Sequence, residues 1–384
     1  MPFNTALDFT RASAATARTA TGKIQEVLTD QQRLVGNREG LLLEEARTNK
    51  LTHSQTFDTG DWGTYGASVV AVTEGLSFNG SDGFKLTEDN SYGSHLLYQP
   101  QAHYTGENSY WIVVEPAERT NIRILAKDDN GSHFVDFDLE NLIVTNEFEA
   151  EGKIFKANGL VYCELQFTTI SSSVLPFGFY IRLIKGEGNA NYQGDGSSGV
   201  IIYASQGEEG SFATSYIPTT SAQVTRAADS CERVLGDEFN TQSFTAIFSA
   251  NIPRLADSPL TLDSRIRLFE FNDGEPDRIT VYITDNQVLS AYIKEAGSTV
   301  DAAAPPFTLS ENGVYGIKVE GLEVTMAFNG EVYTETMTRL PTATKLIIGS
   351  WVNFTESVNA PIKNFRLFPA ALSDAELITL TGGT

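Results

Sequence analysis

The feature that most constrains this chain is a two-residue rhythm. Short runs of alternating apolar and polar residues, each closed by a cluster of Gly, Asn, Asp or Ser, recur along its whole length, and helical spacing is nearly absent. A strand turns successive side chains to opposite faces, so a run of this kind buries one face and wets the other. ILAKDDNGSHFVDFDLENLIVT is an example: Asp129, Asn130 and Gly131 signal a tight turn between two strands. SYWIVVEP, GLVYCELQFTTI, PFGFYIRLIKG and GVIIYASQGE repeat the pattern, and many short strands with turns between them predict a sandwich or barrel. At 384 residues the chain exceeds one ordinary core, which implies two or three domains.

A formal charge of −22 disfavours nucleic acid and anionic lipid, both of which need clustered Lys and Arg. The charge is uneven: residues 1–50 hold seven basic and six acidic side chains, leaving 20 against 43 in the remainder. No apolar run of 18 residues occurs and the N-terminus lacks a basic-then-apolar signal, so cytoplasmic synthesis without membrane insertion is expected. Two cysteines are too few for a disulfide framework. Val161, Cys163, Leu165 and Phe167 share one face of an alternating strand, which predicts a buried Cys163 unbridged to Cys231.

The expected organisation is all-β, with two tandem β-sandwich domains of jelly-roll or concanavalin-like type. Residues 1–50 form an extended N-terminal segment, too lean in apolar residues to bury itself, which packs on the next sandwich or docks to another subunit. Residues 51–222 form the first sandwich and 223–240 a linker without sustained period. A second sandwich spans 241–384, from SFTAIFSANI through RIRLFEFN, RITVYIT, VLSAYIKE, GVYGIKVEG, EVTMAFNGEVY and KLIIGSW. It closes with a short helix over roughly 374–380, for which Ser373 is the N-cap and Glu376 completes a capping box.

Four parts of the chain carry a resemblance. YQGDGSSGVIIYASQGEEGSFATSYIPTTSAQVTRAAD (Tyr192 to Asp229) resembles the segment that closes a carbohydrate-module-like β-sandwich in phage and prophage structural proteins. GLLLEEARTNKLTHSQTFDTGDW (Gly40 to Trp62) resembles the opening of the same modules, and Asp8 to Arg18 with Gly22 to Val27 is similar to the stretch that precedes them. The ending IKNFRLFPAALSDAELITL resembles the last strand and helix of concanavalin-like or laminin-G-like sandwiches. The resemblance implies a virion fibre, spike or decoration subunit. It would be docked to other virion proteins through residues 1–50, homo-oligomeric as a trimer, and able to bind host-surface glycans through multivalent display. Where such modules carry Trp and Arg, this chain has Leu160 and Cys163, which puts ligand binding by that strand in doubt.

Glycan recognition needs aromatic faces beside polar groups that satisfy hydroxyls. Trp62, Tyr65, Tyr92, Tyr104 and Tyr192 stand in polar, turn-rich contexts, as does Trp351, whereas Trp111 reads as core; Tyr65, Tyr92 and Trp351 are the chosen candidates. Asp136, Asp138 and Glu140 have a spacing that sets three carboxylates on one strand face, as a glycosidase would use, but the alternation with Val135, Phe137 and Leu139 favours a half-buried strand of an acidic protein with no chemistry. No catalytic residue is assigned, since none of the four histidines stands beside a nucleophile motif and no zinc spacing occurs. A structural calcium would find its best ligands in Asp273, Glu275 and Asp277, with weaker sets at Asp128, Asp129 and Asn130 and at Asp82, Glu88 and Asp89.

Overall fold

The computed structural model describes residues 7–36, 40–100, 105–128, 131–169, 178–186, 188–237, 239–252, 265–273, 277–284, 286–295, 298–350 and 356–382. The described residues are all-β apart from one helix and form two β-sandwiches. They do not follow one another. One unit comprises Arg47–Arg226 with Thr21–Gln25, and the other is assembled from Met1–Ala20, Glu26–Ala46 and Ala227–Thr384.

In the interrupted unit, Asp8–Thr10 pairs antiparallel with Ser230–Val234, and Gly40–Leu43 pairs with Ala360–Phe368. The first strand joins a seven-stranded sheet that runs on through Lys345–Ile348, Ile266–Asn272 and Arg278–Ile283, and the second joins a seven-stranded sheet containing Ser243–Asn251 and Asn312–Glu320. Phe9, Leu41 and Leu43 enter the same core as Phe244, Phe248, Phe269 and Tyr315. Residues 7–46 thus behave differently from the segment expected: three of their short strands, Asp8–Thr10, Leu34–Val35 and Gly40–Leu43, join the sheets of the C-terminal sandwich. The 223–240 stretch is likewise no plain linker, because Val224–Arg226 pairs with Arg47–Asn49 while Ser230–Val234 belongs to the interrupted unit. Local pattern could not assign these strands, since three or four residues carry little period and their partners lie hundreds of positions away.

Buried charge ties these pieces together. Asp229 accepts from Arg11 Nη1 at 3.1 Å, from Arg33 Nη2 and from the Glu44 backbone N–H at 2.8 Å, while Arg33 Nη1 reaches Glu44 Oε2 at 2.5 Å. Arg11 also donates to the Ser13, Val27 and Leu28 carbonyls. Burial opposes the charge on Arg33, but Glu44 and Asp229 outweigh it and raise its pKa. The helix Asp374–Gly382 has the expected cap: Ser373 N and Oγ donate to Glu376 Oε2 at 2.9 and 2.7 Å, and Glu376 N returns a bond to Ser373 Oγ. Leu377 seats the helix against Ile247, Val314 and Ala327.

The inserted unit packs two six-stranded sheets around Leu97, Ile112, Ile124, Phe137, Cys163 and Phe179. Cys163 and Cys231 are both buried free thiols, as expected; burial pushes Cys163 well up, and burial with Asp229, Glu232 and Asp8 pushes Cys231 up to about 12. Trp111 is buried, but on the far side of its strand from the main core. It packs there with Phe78, Tyr162, Tyr203 and Tyr216 in a second apolar cluster. The middle of that sheet's outer face is therefore covered by the unit's own chain, while Val70 and Phe155 on its flanking strands stay exposed.

Candidate functional site

The other sheet is ordered Ile143–Phe148, Gly131–Asp138, Asn121–Asp128, Gly178–Leu183, His95–Pro100, Gly63–Tyr65. Its inward residues are Leu97, Phe179, Ile181, Ile124 and Val135, so the alternate positions point outward. Directly opposed residues of an antiparallel pair share a face, and the register builds two rows, each across all six strands. One row runs Tyr65, Leu96, Arg182, Arg123, Asp136, Asn146; the other runs Gly63, Tyr98, Tyr180, Leu125, Phe134, Phe148.

The second row is aromatic. The Tyr98 and Tyr180 rings stack with centroids 5.8 Å apart at 21°, and Phe134 and Phe148 stack at 5.4 Å. Gly63 makes the first pair possible, because a Cβ there would stand 2.5 Å from the Tyr98 ring. Both tyrosines are half-buried, and among the described residues neither phenol hydroxyl has a hydrogen-bond partner. Burial and the neighbouring Tyr98 raise the pKa of Tyr180, keeping it neutral. Lys127 Nζ stands 5.5 Å from the Tyr180 ring centroid.

The first row is charged. Arg123 grips Asp136 with two bonds, Nε to Oδ1 at 2.5 Å and Nη2 to Oδ2 at 2.7 Å, and lies over the Phe134 ring at 3.7 Å. Asn146 adds a third donor to Asp136 at 3.3 Å. Arg182, opposite Arg123, donates Nη2 to Ser94 Oγ, and Ser94 in turn donates to Asn191 Oδ1 at 2.7 Å. Burial and the facing Arg123 lower the pKa of Arg182, with Asp136 opposing.

Of the sequence candidates, Tyr65 lies in the charged row and is 65% exposed. Tyr92 is 74% exposed on Tyr92–Gly93, two residues before the Ser94 that holds Arg182. Trp351 and Tyr104 lie outside the described residues. Trp62 is buried against Phe57 and Phe179 with its indole N–H on the His53 carbonyl, and Tyr192 is buried with its hydroxyl donating to Glu88 at 2.7 Å. Tyr98, Tyr180, Arg182 and Arg123 were missed because they sit inside apolar runs. The outward parity of HLLYQP and GFYIRL was the signal available.

The acidic triplet is dispersed in role. Asp136 is fully buried under Arg123, Asp138 accepts the Glu140 and Asn141 backbone N–H groups and thereby closes a turn, and Glu140 lies beyond the strand's end. Of the calcium candidates, Glu275, Asp129 and Asn130 lie outside the described residues. Asp273 accepts from Thr342 at 3.0 Å, Asp89 from Ser91, and Glu88 from Arg119 and Tyr192. Among the described residues no group of three or more His, Cys, Asp or Glu is placed to hold a metal.

The Tyr192 to Asp229 motif is structural in its first part. Glu88 takes two bonds from Arg119, one from Tyr192 and one from the Asp195 N–H, and Asp195 closes the next turn with Ser197 and Ser198. Gly194 and Gly199 run so close to the Asp89 and Leu86 carbonyls that a Cβ on either would stand 2.0 Å from oxygen.

No family model matches this chain. No curated protein matches it either. Among solved structures it is similar to the CBM40 of Ruminococcus gnavus IT-sialidase (15% identity, TM-score 0.30, 38% of this chain and 85% of that one). It is also similar to domains LG4-5 of the mouse laminin α1 chain (9%, 0.23, 86% and 92%) and to Trypanosoma rangeli sialidase (11%, 0.29, 82% and 62%). Likenesses of this size transfer no residue and no role.

Proposed function

We propose that the Arg47–Arg226 sandwich is a glycan-binding module and that the chain is an adhesion subunit of a phage-like particle, a fibre, spike or decoration protein. The observation that carries the binding reading is the Tyr98–Tyr180 pair, set on the outer face of a sheet beside Arg182 and the exposed Tyr65. Ring surfaces match the C–H faces of a sugar, and the open phenol and guanidinium groups match its hydroxyls. The virion reading is supported by the sequence motifs alone, and with it go a homotrimer, virion partners and synthesis in a host cytoplasm. A single shallow face binds weakly, and repeated copies on a particle multiply its effect.

The experiment is a glycan array probed with the protein and with a Tyr98→Ala/Tyr180→Ala variant. Binding to a defined set of glycans that the variant loses supports the reading. A blank array, or a variant with the parent's profile, removes it and leaves a ligand-free structural role. Antibody labelling of particles tests the location, and absence of label from intact particles removes the virion reading. Catalysis is no part of this proposal; cleavage of an array glycan by the unmodified protein would contradict it.

A further inference from the structure

We infer that the ligand of this face is an acidic sugar, and that its carboxylate is taken by Arg182. The inference rests on the glycan reading above and deepens it. Arg123 and Arg182 stand directly opposite each other on adjacent strands, yet the row holds one carboxylate, and both oxygens of Asp136 are engaged by Arg123. Among the described residues Arg182 has no carboxylate partner. Its one hydrogen bond goes to the neutral Ser94 hydroxyl, and its Nε is buried without a partner.

Two facing guanidinium groups that share the single carboxylate of Asp136 leave the row with a net positive charge, and in a chain of net charge −22 this is not a by-product of general basicity. Asn191 Oδ1 accepts a hydrogen bond from the Ser94 hydroxyl at 2.7 Å, so that Ser94 meets Arg182 with a lone pair and fixes its orientation. The planar fork of arginine fits a carboxylate by two parallel bonds, which a neutral hydroxyl cannot reproduce. Beside it, Tyr98 and Tyr180 supply an apolar surface for the sugar ring that carries the acid. The chemical class is therefore a uronic acid or another carboxylated sugar.

The test is binding, by calorimetry or ligand-observed NMR, of a panel of carboxylated oligosaccharides, each paired with its own methyl ester. Esterification removes the charge and keeps the sugar. The parent protein binds at least one acid about 10- to 100-fold more tightly than its ester, as expected for a charge-assisted pair. Arg182→Gln removes that difference, and Arg182→Lys restores part of it because the charge returns without the fork. Thermal unfolding of both variants, with a midpoint near the parent's, confirms that they fold. The parent's preference for the acid also weakens as salt rises. Equal binding of acid and ester, lost in Tyr180→Ala but not in Arg182→Gln, overturns this inference and leaves the glycan reading standing. No binding by any member overturns this inference, whereas the glycan reading falls with a blank glycan array.

Discussion

Arg33 reaches Asp229 across 196 positions of chain, and neither side chain is exposed to water. Arg11 shares the same carboxylate. Removing one partner of a buried pair leaves uncompensated charge, which costs about 3–5 kcal/mol. Asp229→Ala should therefore lower the stability of the interrupted sandwich by that order, read as a shift in its urea midpoint. A change below about 1 kcal/mol would show that the ion cluster is incidental.

Glu88 gives a pH prediction. Its burial favours the neutral form, but Arg119, Tyr192 and the Asp195 N–H outweigh burial and hold its pKa below the usual 4.5. The unfolded chain therefore takes up the proton first as pH falls. The stabilisation is complete above about 4.5 and is lost as pH drops through the lower, folded value. Glu88→Gln should be less stable than the parent at neutral pH, and the gap should narrow in acid well below 4.5. A gap that stays constant with pH would assign the loss to packing instead.

Gly63→Ala tests the aromatic pair without touching it. The new Cβ would meet the far end of the Tyr98 ring at 2.5 Å, and a ring end can swing away. The stability change should be the roughly 0.5 kcal/mol typical of surface substitutions, while the proposed glycan binding weakens because Tyr98 leaves its place against Tyr180. Tyrosine fluorescence and the glycan array measure the two effects separately; full retention of binding would mean that the pair is not the contact surface.

Ser373→Ala removes the N-cap of the only helix among the described residues and should cost about 1 kcal/mol. Ser373→Asp, which can still cap, should recover most of it. Thermal melts of the two variants give the comparison, and identical melts would mean that the helix is held by Leu377 and its neighbours alone.

Where the sequence was a sound guide, the information was local. Alternation placed Cys163 inward with Val161 and Leu165, and three residues sufficed to set the Ser373 and Glu376 cap. What lay beyond it was non-local. Asp8–Thr10 and Gly40–Leu43 are too short to show a period, and their partners begin at Ser230 and Ala360. The site divides the same way. Tyr65 stood out because its surroundings are polar, whereas Tyr98 and Tyr180 lie within apolar runs and reveal their exposure only once Leu97 and Ile181 are known to face the core. Trp62 misled in the opposite sense: turn residues surround it in sequence, but Phe57 and Phe179 bury it.

Because one sandwich is drawn from both sides of the other, the two cannot mature in the order in which they leave the ribosome. The strands around Phe9 and Leu41 emerge first and then wait without their C-terminal partners, while the whole of Arg47–Arg226 is made and can close on itself. Only when Ser230–Val234 and finally Ala360–Phe368 are released do those early strands find their partners. A nascent chain stalled just after Arg226 would carry a finished Arg47–Arg226 unit and an incomplete, adhesive second one, which makes completion of synthesis itself a requirement for a well-behaved protein.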